Sequence, residues 1–197
     1  MRLIIATGNQ DKVREINEIL SDTDFTAISM REAGYDPEIV EDADSFRGNA
    51  MIKAQAIHDI CEPDDFVMAD DSGLCIDALG GAPGIYSSRF CGEDSTYEEK
   101  FKKIFEMLKD VPEDDRTAHF TCAIAVVRPD GSSFTVEESV SGILHEEPVG
   151  ENGFGYDPIF YVPEYNMTTA QMEPALKHSI SHRGKALRSM VEKLMQK

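Results

Sequence analysis

The chain has 197 residues, of which 41% are hydrophobic, so it can fold around a substantial core. Its 37 acidic and 19 basic residues give a formal net charge of −18, which argues against nucleic acid or an anionic membrane as a partner. The N-terminal apolar run, Leu3 to Ala6, is too short for a signal peptide, and we expect a cytoplasmic protein.

The first half of the chain alternates between short apolar runs and segments with helical spacing, as in proteins where strands alternate with helices. Ser45 is the expected N-cap of the second helix. The predicted elements are a strand ending before Thr7, a helix over 11–21, a strand over 25–30, an irregular acidic segment over 37–44, a helix over 46–61, a strand over 66–69 and a second apolar run over 74–79.

The second half adds a hairpin pattern and two further helices. Pro129-Asp130-Gly131 is typical of a turn, and it separates two strand-like runs over 117–128 and 133–144. A last helix is predicted from Arg183 to Met195. Because the hairpin requires antiparallel pairing, the pattern indicates an α/β protein with a mixed sheet. The remaining helix is predicted to begin after a cap at Asp94 or Ser95 and to bury Phe101, Ile104, Phe105 and Leu108.

The segment TGNQDK, Thr7 to Lys12, lies where a predicted strand stops and a helix begins. A helix N-terminus presents unpaired N–H groups and the positive end of the helix dipole, which attract phosphate. Gly8 permits close backbone approach, and Lys12 adds a full positive charge. The segment matches neither GxxxxGK[ST] nor GxGxxG, so an ordinary capped turn is the alternative.

Two adjacent carboxylates, Asp70 and Asp71, follow the predicted strand in MADDSG. On a continuing strand their side chains would point to opposite faces, whereas a loop at the strand end could direct both to one site. Paired carboxylates bind Mg²⁺ and accept protons from water, although Asp-Ser-Gly is also good turn chemistry. Glu41 is a possible third carboxylate, and Lys53 lies among apolar neighbours in a predicted helix.

Two C-terminal motifs, GENGFGYDP and KHSISHRGKA, combine aromatic and basic residues. An aromatic ring between glycines, such as Phe154, can lie flat against a nucleotide base. A glycine-rich turn with aromatic core residues is the alternative. The basic cluster stands out in so acidic a chain, and it consists of Lys177, His182, Arg183 and Lys185.

Together, TGNQDK, ADDSGL, GFGYDPIF and ISHRGKA resemble the inosine triphosphate pyrophosphatase family, which hydrolyses non-standard purine nucleoside triphosphates such as ITP, dITP and XTP. The resemblance covers essentially the whole chain. It implies one domain over residues 1–197, with an elongated mixed central sheet, flanking helices and two lobes around an active-site cleft. It also implies a homodimer that cleanses the nucleotide pool by Mg²⁺-dependent cleavage between the α- and β-phosphates.

The same resemblance implies a role for each motif. Glu41 and Asp71 would hold Mg²⁺, and Asp71 would also accept a proton from the attacking water. Asp70 would share the catalytic centre with Asp71, in a division of roles that the resemblance leaves undecided. Lys53 would be a catalytic phosphate contact, and Phe154 would stack on the base. The other substrate-binding residues would be Thr7, Gly8, Asn9, Gln10, Asp11, Lys12, Ser72, Gly155, Tyr156, Asp157, Lys177, His182 and Arg183.

The chain departs from the family pattern in two places. Gly48 stands where the family often has a glutamate, so a second metal ligand is missing there, and Ala170-Gln171 lacks an acidic residue. Three alternatives remain open at the level of sequence. The chain could act on modified pyrimidine or methylated nucleotides, it could bind nucleotides as a sensor without turnover, or the motifs could be purely structural.

Overall fold

A computed structural model of the chain describes residues 2–196. Its strands form one seven-stranded sheet in the order β2-β1-β3-β4-β5-β6-β7. β1 pairs in parallel with β2 and β3, whereas β6 is antiparallel to β5 and β7, so the predicted mixed α/β fold is confirmed. The strands are β1 Arg2–Ile5, β2 Thr26–Ser29, β3 Phe66–Ile76, β4 Thr117–Val127, β5 Ser133–Leu144, β6 Phe160–Val162 and β7 Met167–Thr168, and the α-helices are α1 Gln10–Leu20, α2 Phe46–His58, α3 Tyr97–Met107, α4 Pro174–Ile180 and α5 His182–Met195.

The parallel part of the sheet consists of two crossover units, β1-α1-β2 and β2-α2-β3, and β1 lies between the other two strands. Leu3 and Ile5 of β1 belong to the same core cluster as the apolar residues of α1. Ile4 and Ala6 belong to another cluster, with the apolar residues of α2. Because alternate residues of a strand point to opposite faces, α1 and α2 cover opposite faces of the sheet. The connections from β1 and β2 therefore cross on opposite faces of the sheet, which creates a topological switch point at the carboxyl end of β1. In α/β proteins, ligands commonly bind at such a point.

The described chain contains two compact units. The first comprises residues 2–71, 122–138 and 184–196, and the second comprises Ser72–Thr121 and Ser139–Arg183. The second unit has its own core, in which α3 packs through Phe101, Ile104 and Leu108, as its spacing predicted. The elongated shape and the cleft implied by the family resemblance stay predictions. None of the helices within residues 2–196 has the length and apolar character needed to cross a membrane.

The largest departure from the sequence prediction is β3. The expected strand over 66–69, loop and second apolar run are one continuous strand, Phe66–Ile76. β3 pairs with β1 only as far as Met68, and it continues beyond that point with β4 as its hydrogen-bonded neighbour, so a strand rather than a turn satisfies the backbone at Asp70-Asp71-Ser72. The expectation of a loop that directs both carboxylates to one site was therefore wrong.

Smaller corrections concern helix ends. α2 ends at His58 rather than at residue 61, and Ile60 beyond it is 49% exposed. Ser95 does not cap α3, because its hydroxyl donates to the carbonyls of the preceding turn. Thr96 is the N-cap instead, in a reciprocal capping box with Glu99. The predicted N-cap of α2, Ser45, is confirmed by its bond from the Gly48 amide. α4, β6 and β7 were not predicted, because they are too short for a periodic pattern.

Candidate active site

The segment Thr7–Lys12 connects β1 to α1. Asn9 is the N-cap of α1, since its Oδ1 accepts hydrogen bonds from the amides of Asp11 (2.9 Å) and Lys12 (3.2 Å). The Asn9 amide in turn donates to Thr7 Oγ1. The prediction that this loop begins a helix is therefore confirmed. With its carbonyl oxygen used in the cap, Asn9 can offer a ligand the donors of its Nδ2 group.

Five charged residues, which we call the carboxylate–lysine cluster, meet beside this loop: Lys12, Glu41, Lys53, Asp70 and Asp71. Lys12 Nζ lies 2.9 Å from Oδ2 of Asp70, whose side chain is fully buried. Lys53 Nζ bridges two carboxylates, at 2.8 Å from Glu41 Oε2 and 3.3 Å from Asp71 Oδ1. All five residues were predicted as site residues, Asp70 and Asp71 from one motif and the other three from separate stretches, and the fold brings them together.

The two aspartates of the cluster lie on opposite faces of β3. Met68 belongs to the core cluster on the α1 face and Ala69 to the one on the α2 face. Asp70 and Asp71 continue this alternation. Each aspartate is accordingly paired with a lysine from the helix on its own face, Lys12 from α1 and Lys53 from α2. The two carboxylates therefore lie in separate environments.

Asn49 holds the α2 side of the cluster together, and sequence reasoning did not single it out. Its Nδ2 donates to Asp71 Oδ2 (3.3 Å), and its Oδ1 accepts from the Ala43 amide (3.0 Å). The side chain is fully buried. The sequence spacing could have indicated Asn49, because it precedes Lys53 by four residues and the two therefore share one face of α2.

Gly48 is explained by a close approach of the acidic segment that precedes α2. A Cβ built at position 48 would lie 2.5 Å from the Ala43 Cβ. A glutamate there would push away the segment that carries Glu41. The glycine found where the family often has a carboxylate is thus compatible with this backbone path, and larger residues are not.

Burial and charge shift the proton affinities of two members of the cluster. Burial raises the pKa of Asp71 above its ordinary value, although Lys53 and Lys12 partly oppose the shift. Burial by itself would lower the pKa of Lys53, but the carboxylates of Asp71, Asp70 and Glu41 outweigh it and the pKa is raised. Asp71 therefore binds a proton more readily than an exposed aspartate does, as a general base requires.

The donor set of the cluster fits Mg²⁺, which prefers carboxylate oxygens. Within residues 2–196, no group of three His, Cys, Asp or Glu side chains is arranged to hold a metal ion. Mg²⁺ is commonly bound through only one or two carboxylates together with substrate phosphates. Glu41 and Asp71, whose oxygens converge on one Lys53 ammonium, suit an ion that arrives with a triphosphate.

The second unit contains a different group of polar side chains, which we call the aromatic–basic cluster: Ser72, Phe154, Asp157, Lys177 and Arg183. Asp157 Oδ2 accepts hydrogen bonds from Lys177 Nζ and from the Phe154 amide, both at 2.8 Å. Lys177 Nζ and Arg183 Cζ lie 5.3 and 5.5 Å from the centroid of the Phe154 ring. Arg183 Nη2 donates to Ser72 Oγ. An aromatic face is thus surrounded by oriented hydrogen-bond donors.

Gly153 makes this arrangement possible. It has a φ of +75°, and a Cβ built on it would lie 2.2 Å from Asp157 Oδ2 and 2.9 Å from Lys177 Nζ. The backbone therefore passes directly over the Asp157–Lys177 ion pair, which only a residue without a side chain permits.

Several predicted substrate residues make contacts of other kinds. Tyr156 is buried, its hydroxyl donates to the Ser87 carbonyl (2.8 Å), and burial raises the pKa of its phenol. The His182 ring stacks on Phe120 with centroids 4.8 Å apart. Asp11 lies on the surface in an ion pair with Arg14. Substrate contacts of these residues, and of Gln10 and Gly155, stay predictions.

Known proteins resemble this chain along almost its whole length. The Ham1 family matches residues 3–193. The chain belongs to the Ham1 family. Ham1 relatives include the dITP/XTP pyrophosphatases of Desulforamulus reducens, 45% identical over 98% of this chain and 94% of that protein, and of Bacillus subtilis, 44% identical over 95% and 93%.

Solved Ham1 structures have the same fold. The Ham1 protein of Staphylococcus aureus is 37% identical, with a TM-score of 0.85 over 98% of both chains. That of Coxiella burnetii is also 37% identical, with a TM-score of 0.86 over 100% of both. The resemblance drawn from the four sequence motifs is thereby confirmed at the level of family and fold.

Proposed function

We propose that this chain hydrolyses the non-standard purine nucleotides ITP, dITP and XTP to a nucleoside monophosphate and pyrophosphate, with Mg²⁺ as cofactor. It is a nucleoside triphosphate pyrophosphatase, and its Ham1 relatives at 41–45% identity carry the name dITP/XTP pyrophosphatase. The observation that carries the proposal is the carboxylate–lysine cluster. In it, Lys12 and Lys53 meet the adjacent carboxylates Asp70 and Asp71 just beyond the carboxyl end of β1.

The triphosphate would bind at the loop Thr7–Lys12. The first amides of α1 and the Lys12 ammonium supply positive potential there, and Gly8 keeps the backbone accessible. Lys53 would contact the phosphates from the α2 side. Because its Nζ already lies between Glu41 and Asp71, the ammonium is positioned where negative charge must be neutralised.

Asp71 would take the proton from the water that attacks the α-phosphorus. Burial raises the pKa of this carboxylate and makes it more basic, and the bond from Asn49 orients it on the α2 face. Glu41 and Asp71 would hold the Mg²⁺ ion, which when bound neutralises phosphate charge and polarises phosphorus as a Lewis acid. Lys12 and Lys53 would stabilise the charge that develops on the departing pyrophosphate. Asp70 would keep Lys12 in place, since their ion pair is buried.

The base would be recognised by the aromatic–basic cluster. Phe154 would stack on it, and Lys177 and Arg183 would present donors to its edge. A 6-oxo purine offers an acceptor at O6, whereas adenine offers an amino group that would face donors without a partner. An unpaired buried polar group costs about 1–3 kcal/mol, which favours ITP and XTP over ATP.

The proposal is tested by incubating the purified chain with ITP, XTP, GTP and dUTP plus Mg²⁺ and measuring pyrophosphate and monophosphate. We expect equimolar release of both from ITP and XTP. Release of orthophosphate would contradict cleavage between the α- and β-phosphates. Preference for dUTP would support a pyrimidine enzyme, and binding without turnover would support a sensor.

The family resemblance also leads us to propose a cytoplasmic homodimer. Light scattering of the purified chain tests the assembly, since a dimer has twice the 21.9 kDa mass of the single chain. A monomeric mass at the concentrations used for kinetics would contradict it.

A further inference from the structure

Arg31 lies beside the phosphate loop, although no motif pointed to it. It follows β2, and its guanidinium reaches Gly8: a Cβ built on Gly8 would lie 3.7 Å from both Cζ and Nη2 of Arg31. The guanidinium therefore lies close to the part of the loop where a substrate phosphate would approach the backbone.

The position of Arg31 follows from the register of the parallel strands. Ile5 of β1 pairs with Ser29 of β2 on one side and with Met68 of β3 on the other. Two residues beyond this level lie Arg31, after the end of β2, and Asp70, within β3, and Asp71 is the next residue of β3. Neighbouring strands are about 4.8 Å apart, so β2 and β3, which lead to Arg31 and Asp71, lie about 10 Å apart on either side of β1 and of the loop that follows it.

The turn that carries Arg31 is tied to the sheet. The Met30 amide donates to the Ile5 carbonyl (2.9 Å), and the Gly34 amide donates to the Arg31 carbonyl (3.0 Å). The Glu32 carboxylate is engaged with Ser29, because it accepts bonds from the amide and the hydroxyl of that residue, both at 2.8 Å. The backbone of Arg31 is thus held firmly, and its immediate neighbour does not neutralise it.

The guanidinium also has capacity for a ligand. Within residues 2–196 its ion pair is with Asp36, through Nε at 3.1 Å, and both side chains are more than half exposed. Exposed ion pairs contribute little and are readily exchanged. The terminal nitrogens Nη1 and Nη2 form the planar fork that binds phosphate oxygens in pairs.

A further cation would complement the charge of the side chains in the site. In the carboxylate–lysine cluster, two lysines face three carboxylates, so the cluster by itself is net negative. A triphosphate is strongly anionic, and a cation outside the cluster would offset this imbalance without removing Lys12 or Lys53 from its carboxylate.

We propose that Arg31 binds the terminal phosphates of the substrate, and hence the pyrophosphate product, through Nη1 and Nη2. This inference rests on the proposed function, in which Asp71 acts at the α-phosphorus. The triphosphate then extends from Asp71 across the loop, and its β- and γ-phosphates reach Arg31. A nucleoside monophosphate lacks these groups and gains nothing from Arg31.

The test measures binding of magnesium pyrophosphate by calorimetry, and KM for ITP, in wild type, Arg31→Ala and Arg31→Lys. We expect Arg31→Ala to weaken pyrophosphate binding and raise KM by about 10- to 100-fold, the range for a charged hydrogen bond. Arg31→Lys restores part of this loss, because it returns the charge without the fork. Inhibition by IMP stays unchanged.

Two controls separate binding from structure. Arg14→Ala removes another exposed arginine, paired with Asp11 on α1, and leaves pyrophosphate binding unchanged. Asp36→Ala breaks the ion pair of Arg31 without removing the guanidinium, so pyrophosphate binding is retained or strengthened. If Asp36→Ala weakened binding as much as Arg31→Ala, or if IMP and pyrophosphate lost affinity equally in Arg31→Ala, the proposal would be overturned.

Failure of the proposed function would look different. A wild-type protein that releases no pyrophosphate from any nucleotide would contradict that function. The calorimetric titration would still decide whether Arg31 binds pyrophosphate, and a wild type that does not bind it would overturn the inference.

Discussion

The carboxylate–lysine cluster and the aromatic–basic cluster are both largely buried, but they carry opposite charge. In the first, Lys12 and Lys53 face three carboxylates. In the second, Lys177 and Arg183 accompany a single carboxylate, that of Asp157, and an aromatic ring. The first cluster can therefore accept cations together with an anionic substrate, whereas the second can only offer donors to a ligand that brings acceptors.

The two clusters also differ in how their cations are held. Both lysines of the first cluster are bound by carboxylates that lie on adjacent residues of one strand. In the second, Lys177 is held by Asp157, while Arg183 donates to the neutral hydroxyl of Ser72. Substitutions in the first cluster should therefore affect chemistry and phosphate binding, and substitutions in the second should affect base selection.

The largest effect is expected from Asp71→Asn. An amide cannot accept the proton of the attacking water, so kcat for ITP at saturating Mg²⁺ should fall by ~10²–10⁴-fold. Because the pKa of Asp71 is raised in the folded protein, protonation of Asp71 stabilises the fold. This stabilisation is fully present at pH values below the pKa of the unfolded state, and it is lost as the pH rises through the pKa of the folded state. At pH 7 the neutral amide should therefore not lower the melting temperature. Retention of more than a tenth of kcat would contradict the assignment.

The next largest effect is expected from the Lys12–Asp70 pair. Lys12→Met should raise KM for ITP by about 10²-fold while leaving the affinity for inosine unchanged. It also leaves Asp70 as an uncompensated buried charge, which costs about 3–5 kcal/mol. The double variant Lys12→Met/Asp70→Asn should recover stability but not triphosphate affinity. Equal losses for inosine and ITP in the double variant would show that Lys12 does not bind phosphate.

Arg183→Ala should have its effect on selectivity. Wild type should prefer ITP to ATP by about 10²–10⁴ in kcat/KM, because adenine leaves two polar groups mismatched. Loss of the Arg183 donors should reduce this preference about tenfold or more, mainly by slowing ITP. The measurement is competition between ITP and ATP. If both nucleotides slowed equally, Arg183 would act on phosphate or on structure.

Two glycines of the same loop provide a matched comparison. Gly153 and Gly155 have similar φ values, +75° and +69°, so alanine at either costs about 1–2 kcal/mol of backbone strain. At position 153 the new Cβ would also displace Asp157 and Lys177, whereas at 155 its nearest neighbour, Tyr97 Oη, is 3.4 Å away. Gly153→Ala should therefore be the less stable variant in urea unfolding and the one with the raised KM for ITP. Equal stabilities would argue against this packing.

The smallest effect is expected from Asn49→Ala. The hydrogen bond from Asn49 favours the ionised form of Asp71, so its removal should raise the pKa of Asp71 further. Because the base must be deprotonated, the acidic limb of the pH profile of kcat/KM should move to higher pH, while the plateau changes less. A limb that stays in place would indicate that another group controls it.

How far sequence alone predicts this molecule differs between the two clusters. For the first cluster, the sequence predicted the helix start at Asn9 and the participation of Lys12, Lys53 and Asp71. The loop that it predicted at Asp70-Asp71 was wrong. For the second, the aromatic and basic residues were predicted, but the packing roles of Tyr156 and His182 were not. In both cases the residue types were informative and the directions of the side chains were not.

The sequence by itself determined the α/β class, the capped start of α1, the N-cap of α2 and the apolar face of α3. These features depend on residues within about one helical turn or one hairpin of each other, so local spacing is sufficient. Only the tertiary structure decided that β3 continues through Asp70 and Asp71, because the neighbouring strands that complete its hydrogen bonds are distant in the chain. The tertiary structure likewise decided the close approach of Gly48 to Ala43 and the position of Arg31 beside Gly8, because such approaches depend on the path of the backbone. Strand register, which local sequence does not specify, aligns the ends of β2 and β3 on either side of β1, and these strands lead to Arg31 and Asp71.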